Sequence, residues 1–172
     1  MADGQISKPG HPAAPVPALA PAIVALAQSG CGIALASCGP DGAPVLGLGV
    51  ACRVRPGGVF RILVDQCCNA DVIAALAAGR PLAVTLTATR DHTSFQVKAP
   101  EARIGTMCSD DLPEIDRQQG LFKDGLVELG YSEAQGAGYS VYETANLVSV
   151  EFAPQHVFSQ TPGPGAGQEI TR

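Results

Sequence analysis

A period-two alternation of apolar and polar side chains in residues 84–98 limits the possible folds of this chain more than any other feature. Alternation with that period places successive side chains on opposite faces of a β-strand. The apolar set is Val84, Leu86, Ala88, Phe95 and Val97. The polar set is Thr85, Thr87, Thr89, Ser94, Gln96 and Lys98. The stretch therefore predicts two half-buried strands.

The two strands are close enough in sequence to form an antiparallel hairpin across residues 90–93. The hairpin would pair Thr89 with Ser94, Thr87 with Gln96, and Thr85 with Lys98. All the polar side chains would then share one face of the sheet. That face is either an ordinary solvent-exposed surface, rich in threonine because β-branched residues suit strands, or a surface whose hydroxyl, amide and ammonium donors bind a ligand.

Further apolar segments also have the character of strands, so that the sequence predicts six in all. The segments are 33–37, 45–54, 59–64, 82–89, 93–104 and 147–152. Gly47 and Gly49 within the second segment indicate a bulge or the close approach of another group to the backbone. Helices are expected at residues 21–28, 69–79 and 109–129. The predicted class is mainly β (α+β), as an antiparallel barrel or open sandwich with peripheral helices.

Length and composition predict one folded domain with two appended segments. With 172 residues, 46% of them hydrophobic, the chain can bury a sizeable core. Residues 1–19, rich in Pro and Ala, are expected to form a flexible arm, and residues 20–160 the domain. Residues 161–172 form a Pro/Gly-rich tail, and regular structure is not expected from Phe158 onward.

Charge and hydropathy argue against two classes of partner. The net charge is −5 and the 11 basic residues are spread along the chain, whereas nucleic-acid binding requires a basic stripe. The sequence has no apolar run of about 18 residues, so no membrane span is expected. The six cysteines form no CxxC pair. Without a secretory signal they are expected to be reduced thiols in a cytoplasmic protein that has no metal site.

Four segments of the chain follow one another in an order that is typical of a known family. IALASCGPDGAPVLGLGV contains a strand, an Asp-Gly turn and a proline-led strand, and VFRILVDQCCNADVIAALAAGRPLAVTL contains a strand, a loop, a helix and another strand. SFQVKAPEARI places Gln96 on a strand, and LVSVEFAPQHVFSQTPGPGAG is a last strand with its tail. In this order the segments resemble the pyridoxamine 5′-phosphate oxidase-like FMN-binding split-barrel superfamily. The likeness covers residues 21–167 and implies a six-stranded split β-barrel.

The resemblance also implies a ligand and an assembly. Proteins of this family are usually homodimers with two FMN sites between the subunits, so we expect a homodimer, FMN, and a flavin-dependent oxidoreductase acting on a small substrate. The family's motifs place at the cofactor Gln66, Asn69, Thr85, Thr87, Ser94, Gln96 and Lys98. Some members of the superfamily bind haem or a deazaflavin, and some have no established ligand. A non-catalytic flavin- or haem-binding protein is therefore the alternative.

The loop that would hold the phosphate departs from the family pattern. Where the family often has a basic pair, residues 67–71 read CCNAD, with one acid and no base. A phosphate would lose its charge-assisted contacts there, unless Lys98, Arg61 or Arg53 compensates.

The sequence contains no recognisable catalytic set. It shows no Ser-His-Asp set and no clustered carboxylates, so the catalytic residues are not assigned and the chemistry is expected to come from a cofactor. Three further hypotheses each have a structural alternative. They are a redox role for Cys67-Cys68, a ligand contact for His92 and haem ligation by His156.

Overall fold

The computed structural model describes residues 19–139 and 141–170, which contain four α-helices and nine β-strands. The strands are β1 (Gly32–Cys38), β2 (Pro44–Gly49), β3 (Ala51–Arg55), β4 (Val59–Asp65), β5 (Leu82–Thr87), β6 (Ser94–Ala99), β7 (Arg103–Thr106), β8 (Leu147–Phe152) and β9 (His156–Ser159). The helices are α1 (Pro21–Ala27), α2 (Ala70–Ala77), α3 (Asp111–Glu128) and α4 (Glu133–Gly138). The predicted arm at residues 1–19 lies outside the described residues except for Leu19, which packs against the core.

The strands form two antiparallel sheets with the hydrophobic core between them. The five-stranded sheet has the order β2-β1-β5-β6-β9, and the four-stranded sheet has the order β3-β4-β8-β7. Phe60 of β4 meets Phe95 of β6 with ring centroids 6.4 Å apart, and Phe152 stacks on Phe60 at 5.4 Å. Burial of each such side chain contributes about 1.5–3 kcal/mol, so this aromatic cluster holds the two sheets together. The mainly antiparallel α+β class is confirmed.

Instead of one six-stranded barrel, the described residues form nine strands in two sheets. The predicted strand 45–54 is divided at Val50 into β2 and β3, which belong to different sheets. At this crossing a Cβ on Gly49 would lie 2.7 Å from Ile33 Cγ2 and 2.9 Å from Ile62 Cγ2. The chain passes between the sheets because glycine leaves that space free. The apolar pattern continues through the crossing, so the sequence alone indicated one strand.

A second predicted strand, 93–104, is divided in the same way. β6 ends at Ala99 and β7 begins at Arg103 in the other sheet, since Pro100 has no N–H with which to continue the ladder. The ninth strand, β9, includes Phe158 and Ser159, where regular structure was not expected. β9 pairs with β6, and the N–H of Ile170 donates to the carbonyl of Val157 at 2.7 Å. The tail therefore folds back along this edge.

Helix α3 is fixed to the four-stranded sheet by buried polar contacts. The side-chain amide of Gln118 accepts the N–H of Cys52 at 2.9 Å and donates to its carbonyl at 2.6 Å, as a neighbouring strand would. Asp111, the first residue of α3, accepts from Arg61 Nη2 at 2.5 Å and from Arg53 Nη1 at 2.9 Å. The Gln118 bonds place the middle of α3 beside β3, and the Asp111 bonds hold the start of α3 against β3 and β4.

Candidate functional site

The predicted hairpin forms from β5 and β6, with its polar side chains on the outer face of the five-stranded sheet. The pairs are Thr87–Ser94, Thr85–Gln96 and Ala83–Lys98. The predicted pairing was wrong by two residues, because residues 88–93 make a wider turn in which His92 has a φ of 58°. A shift of two keeps each side chain on its face. The polar face therefore exists as expected, but Thr89 lies beyond the paired residues and packs against Gly125 of α3.

Gln96 and Thr85 form the centre of this face. Gln96 Nε2 donates to Thr85 Oγ1 at 3.0 Å. With that bond made, the Gln96 carbonyl can still accept and the Thr85 hydroxyl can still donate to another molecule. In the neighbouring strands, Ala34 of β1 pairs with Thr85 on one side and with Leu48 of β2 on the other. A continuous row of side chains therefore crosses the sheet from the β2 edge to Gln96.

Lys98 and Ser94, the other two predicted site residues on β6, differ in accessibility. Lys98 is exposed, and its Nζ lies 4.7 Å from the centre of the Phe158 ring, a cation–π contact. Ser94 is only 7% exposed. The Thr161 hydroxyl in the tail accepts the Ser94 N–H at 3.0 Å and donates to the Ser94 carbonyl at 3.2 Å. Lys98 is available to a ligand, whereas the main chain of Ser94 binds Thr161 and so holds the tail against β6.

A cleft of about 550 Å³ opens at the β2 edge of the same sheet. Its walls are β2, the loop at residues 65–69, the middle of α3, and residues 138–139 and 141–142. Leu46 and Leu48 line it and are 74% and 70% exposed. Ala34 belongs both to the cleft and to the row that contains Thr85. The cleft and the polar face are therefore one continuous surface.

The loop expected to hold a phosphate is occupied by the carboxylate of Asp65. Asp65 Oδ1 accepts the N–H groups of Cys67 at 2.9 Å and Cys68 at 3.3 Å. Asp65 Oδ2 accepts the N–H of Glu143 at 3.0 Å. The Glu143 N–H contributes most to lowering the pKa of Asp65, and the two loop N–H groups lower it further. The backbone donors of this loop therefore already hold an anion, which is 4% exposed.

Asn69 and Gln66, the two loop residues expected near the phosphate, have other partners. Asn69 Oδ1 accepts the N–H of Leu48 at 2.7 Å, and its Nδ2 donates to the carbonyl of Asp65 at 2.7 Å. Its side chain makes no capping hydrogen bond to α2. The exposed Gln66 donates its N–H to the carbonyl of Asn146 at 3.0 Å. Asn69 reaches the cleft, but its amide binds the edge strand β2.

Of the basic residues expected to compensate, Arg61 and Arg53 are engaged elsewhere. Arg61 binds Asp111 and also donates to Glu151 Oε1 at 2.6 Å, and Arg53 binds the same Asp111. Among the described residues, no Lys, Arg or His lines the cleft. Lys98 lies on β6, three strands from β2, which is about 14 Å across the sheet. A phosphate in the 65–69 loop does not fit these residues.

Gln119 of α3 is a cleft residue that sequence reasoning did not select. Its Nε2 donates to the carbonyl of Val50, and its Oε1 is buried without a hydrogen-bond partner in the described part of the chain. A buried acceptor without a donor costs free energy, so it suits the N–H or O–H of an incoming molecule. Nothing in the helical pattern distinguishes it from the neighbouring Gln118, whose amide is fully used in packing.

The remaining hypotheses concern histidines and cysteines. His92 is exposed in the hairpin turn, and Cys67 and Cys68 are exposed free thiols. His156 pairs with Lys98 on the outer face, and its Nδ1 lies 2.7 Å from Glu169 Oε1. Within residues 19–139 and 141–170, no group of three or more His, Cys, Asp or Glu side chains could hold a metal ion. None of the helices described is long and apolar enough to cross a bilayer.

Solved structures match the fold, although neither a family model nor a curated protein matches the sequence. HupZ of Group A Streptococcus superposes with a TM-score of 0.54 at 11% identity, over 87% of this chain and 100% of that chain. A protein from Lactobacillus delbrueckii, provisionally assigned as a pyridoxamine 5′-phosphate oxidase, gives 0.50 at 18% identity, over 81% and 93%. An F420 reductase gives 0.52 at 17% identity, over 77% and 93%.

These likenesses show the fold. The chain has the fold of the pyridoxamine 5′-phosphate oxidase-like superfamily, and the resemblance predicted from the sequence is confirmed at that level. The fold hosts more than one function, so the activity has to be argued from the surface that joins the cleft and the polar face.

Proposed function

We propose that this protein binds a flavin and acts as a flavin-dependent oxidoreductase on a small substrate. The observation that carries the proposal is the continuous surface formed by the cleft beside β2 and the Thr85–Gln96 row. It combines exposed apolar side chains with amide and hydroxyl groups, which suits a planar ring with a polar edge. A reductase and a protein provisionally assigned as an oxidase share the fold, and this supports redox chemistry as the activity.

The contribution of this chain to such a reaction would be binding and orientation. On the outer face Lys98 contacts the Phe158 ring and His156 contacts Glu169, and neither contact supplies a redox-active group. The chemistry would therefore come from the cofactor. FMN is the cofactor that the sequence resemblance implies, but its phosphate does not fit the 65–69 loop, so we assign no reaction step to it.

A homodimer with the cofactor site between its subunits is part of the same proposal. Leu46 and Leu48 are exposed on the edge strand, and Tyr139 and Val141 on the other side of the cleft are 64% and 80% exposed. Apolar side chains grouped in this way mark an interaction surface. A second copy of this chain would cover them and enclose the cofactor.

The six cysteines are free thiols, which supports a cytoplasmic location.

A non-catalytic haem-binding protein is the second candidate, and His156 favours it. His156 lies on the same outer face as Lys98, and Glu169 holds its Nδ1. A carboxylate on one ring nitrogen orients an imidazole whose other nitrogen binds a metal. Haem iron bound at Nε2 would serve storage, sensing or transfer without turnover.

An absorption spectrum of the purified protein tests both candidates. We expect flavin bands, either as isolated or after incubation with excess flavin and desalting, at about one flavin per subunit. A Soret band that disappears in His156→Ala would establish the second candidate instead. A protein that is colourless and retains no added flavin would overturn the proposed function. Reduction of the bound flavin by NAD(P)H, followed by reoxidation with an acceptor, then separates an enzyme from a carrier.

A further inference from the structure

In the 65–69 loop the buried carboxylate of Asp65 accepts the backbone N–H groups that a phosphate would need. A phosphate bound at a loop of this kind takes backbone N–H groups and a nearby base. In this chain one oxygen of Asp65 accepts the N–H groups of Cys67 and Cys68, and the other oxygen accepts the N–H of Glu143. A phosphate could use these donors only by displacing Asp65. Displacement would leave a buried carboxylate without its hydrogen bonds, which is unfavourable.

The phosphate would also meet a like charge without compensation. Asp65 and Cys68 both line the cleft, and no base lines it among the described residues. Lys98 lies on β6, three strands and about 14 Å from β2, and exposed charges more than about 10 Å apart interact weakly at 0.1 M salt. A doubly charged phosphate placed in this cleft would therefore be repelled by Asp65 and would meet no basic side chain of the described residues in the cleft lining.

The rest of the cleft suits an uncharged ring. Leu46, Leu48 and Val141 provide apolar walls. Gln119 also lines the cleft, and its buried Oε1, which has no donor within the described residues, would accept a ring N–H that reached it. A flavin ring has one such N–H in its pyrimidine portion. The ring part of a flavin fits these groups, and its 5′-phosphate does not.

We propose that the cleft selects an uncharged flavin of the riboflavin type over FMN, and that Asp65 sets this selection. This inference rests on the proposed function, since it concerns the ligand of the same surface. It assigns a specificity role to a carboxylate where the sequence resemblance implies a phosphate site.

The test is a pair of fluorescence-quenching titrations of the full chain, one with riboflavin and one with FMN, at the same ionic strength. We expect riboflavin to bind at least about tenfold more tightly, the size of effect that one missing charged contact produces. Equal or tighter binding of FMN would overturn the inference and leave the proposed function standing. If neither flavin binds, the proposed function itself is wrong.

Two variants test the role of the loop charge. Asp65→Asn removes the charge but keeps an oxygen that can accept from Cys67 and Cys68, so the preference for riboflavin should shrink by about tenfold. Cys68→Lys adds the missing base and leaves Asp65 in place, and it should raise the FMN affinity relative to the riboflavin affinity by about tenfold. Cys68→Ser is the control for loss of the thiol, and it should leave the ratio of the two affinities unchanged.

The two variants are independent of each other, so the electrostatic explanation can be tested even if one of them misfolds. An unchanged ratio of the two affinities in a folded Asp65→Asn protein would overturn the role of Asp65. If Asp65→Asn does not fold, an FMN affinity that Cys68→Lys leaves unchanged would overturn the electrostatic explanation.

Discussion

The side-chain amide of Asn69 lies directly against the backbone of Gly47, so close that a Cβ on Gly47 would overlap Asn69 Oδ1. The same Oδ1 accepts the N–H of Leu48, the next residue of the edge strand, at 2.7 Å. Glycine at position 47 thus allows the loop after β4 to fasten the edge of the other sheet. This contact is part of the cleft wall, because Gly47, Leu48 and Asn69 all line the cleft.

Gly47→Ala is expected to destabilise the protein by about 2 kcal/mol, as overpacking at a close contact does. The new methyl group would also approach Val72 Cγ2 to 3.2 Å, so neither the loop nor α2 leaves it room. Urea unfolding monitored by circular dichroism measures the change. The loss should be much smaller when it is measured in an Asn69→Ala background, because the overlapping group is then absent.

Gly120→Ala is the matched control for this substitution. A Cβ at Gly120 in α3 would meet nothing within 4 Å, so alanine should raise the stability by about 0.5–1 kcal/mol through helix propensity. Equal effects at the two positions would contradict the role given to Gly47.

The strand pattern could be predicted from the sequence because it depends on local alternation. The outer face with Thr85, Gln96 and Lys98 follows from the period of two, and a register error of two residues did not disturb it. The crossings at Val50 and Pro100 were missed, because which sheet a strand joins is decided by contacts distant in sequence. A bulge or the close approach of another group at Gly47 was expected from the sequence, but the identity of that group, Asn69, was not.

The site was less predictable than the fold, since its polar groups use long-range partners. Asp65 binds Glu143, and Gln119 binds Val50, in each case across about 70 to 80 positions of sequence. A carboxylate followed two residues later by a bound N–H is an Asx-type turn, so Asp65 before Cys67 was a local signal that could have been used. For Gln119 no such signal exists.

Asp111→Asn is expected to destabilise the fold by about 3 kcal/mol at neutral pH, because it weakens a buried ion pair and leaves Arg61 with less compensation. Burial alone would raise the pKa of Asp111, but hydrogen bonds from Arg61, the Cys108 N–H and Arg53 lower it well below its usual range. Urea unfolding at neutral pH gives the magnitude. Glu128→Gln, which removes the charge from an exposed pair with Arg90, should change the free energy of unfolding little.

The same pair predicts a dependence of stability on pH. The pKa of Asp111 is lower in the folded than in the unfolded state, so its contribution is complete above the unfolded value of about 4 and is lost as the pH falls below it. Unfolding free energies measured between neutral pH and pH ~3 should decline less steeply in Asp111→Asn than in the unmodified protein. Parallel curves would show that Asp111 does not carry the acid sensitivity.

Leu48→Glu is expected to convert a homodimer into a folded monomer, because it places a charge on the apolar edge strand that the proposed interface covers. Light scattering coupled to size exclusion measures the mass, and circular dichroism confirms the fold. Leu129→Glu, at a 46% exposed position at the end of α3, is the control and should stay dimeric. A protein that is already monomeric without substitution would remove the dimer from the proposed function.

Native thiol labelling should divide the cysteines by exposure. Cys67, Cys68 and Cys108 are exposed and are expected to react with iodoacetamide within minutes at pH ~8. Burial raises the pKa of Cys31 to about 12 and also raises the pKa of Cys52, so these two should react only after unfolding. Peptide mass spectrometry distinguishes the sites. Rapid labelling of Cys31 would show that the contact between α1 and the core opens readily.

The double variant Gln96→Ala, Lys98→Ala tests whether the polar face holds the ligand. Removing the Gln96 amide takes away both the bond to Thr85 and the acceptor beside it, and removing Lys98 takes away an exposed cation of the same face. Flavin affinity should fall by roughly tenfold or more, the effect of losing one or two polar contacts. The mass of the dimer should not change. Lys123→Ala on α3 removes the same charge elsewhere and should bind flavin normally. Flavin affinity that is unchanged in the double variant would exclude the Thr85–Gln96 row and leave the β2 cleft, with Gln119, as the whole site.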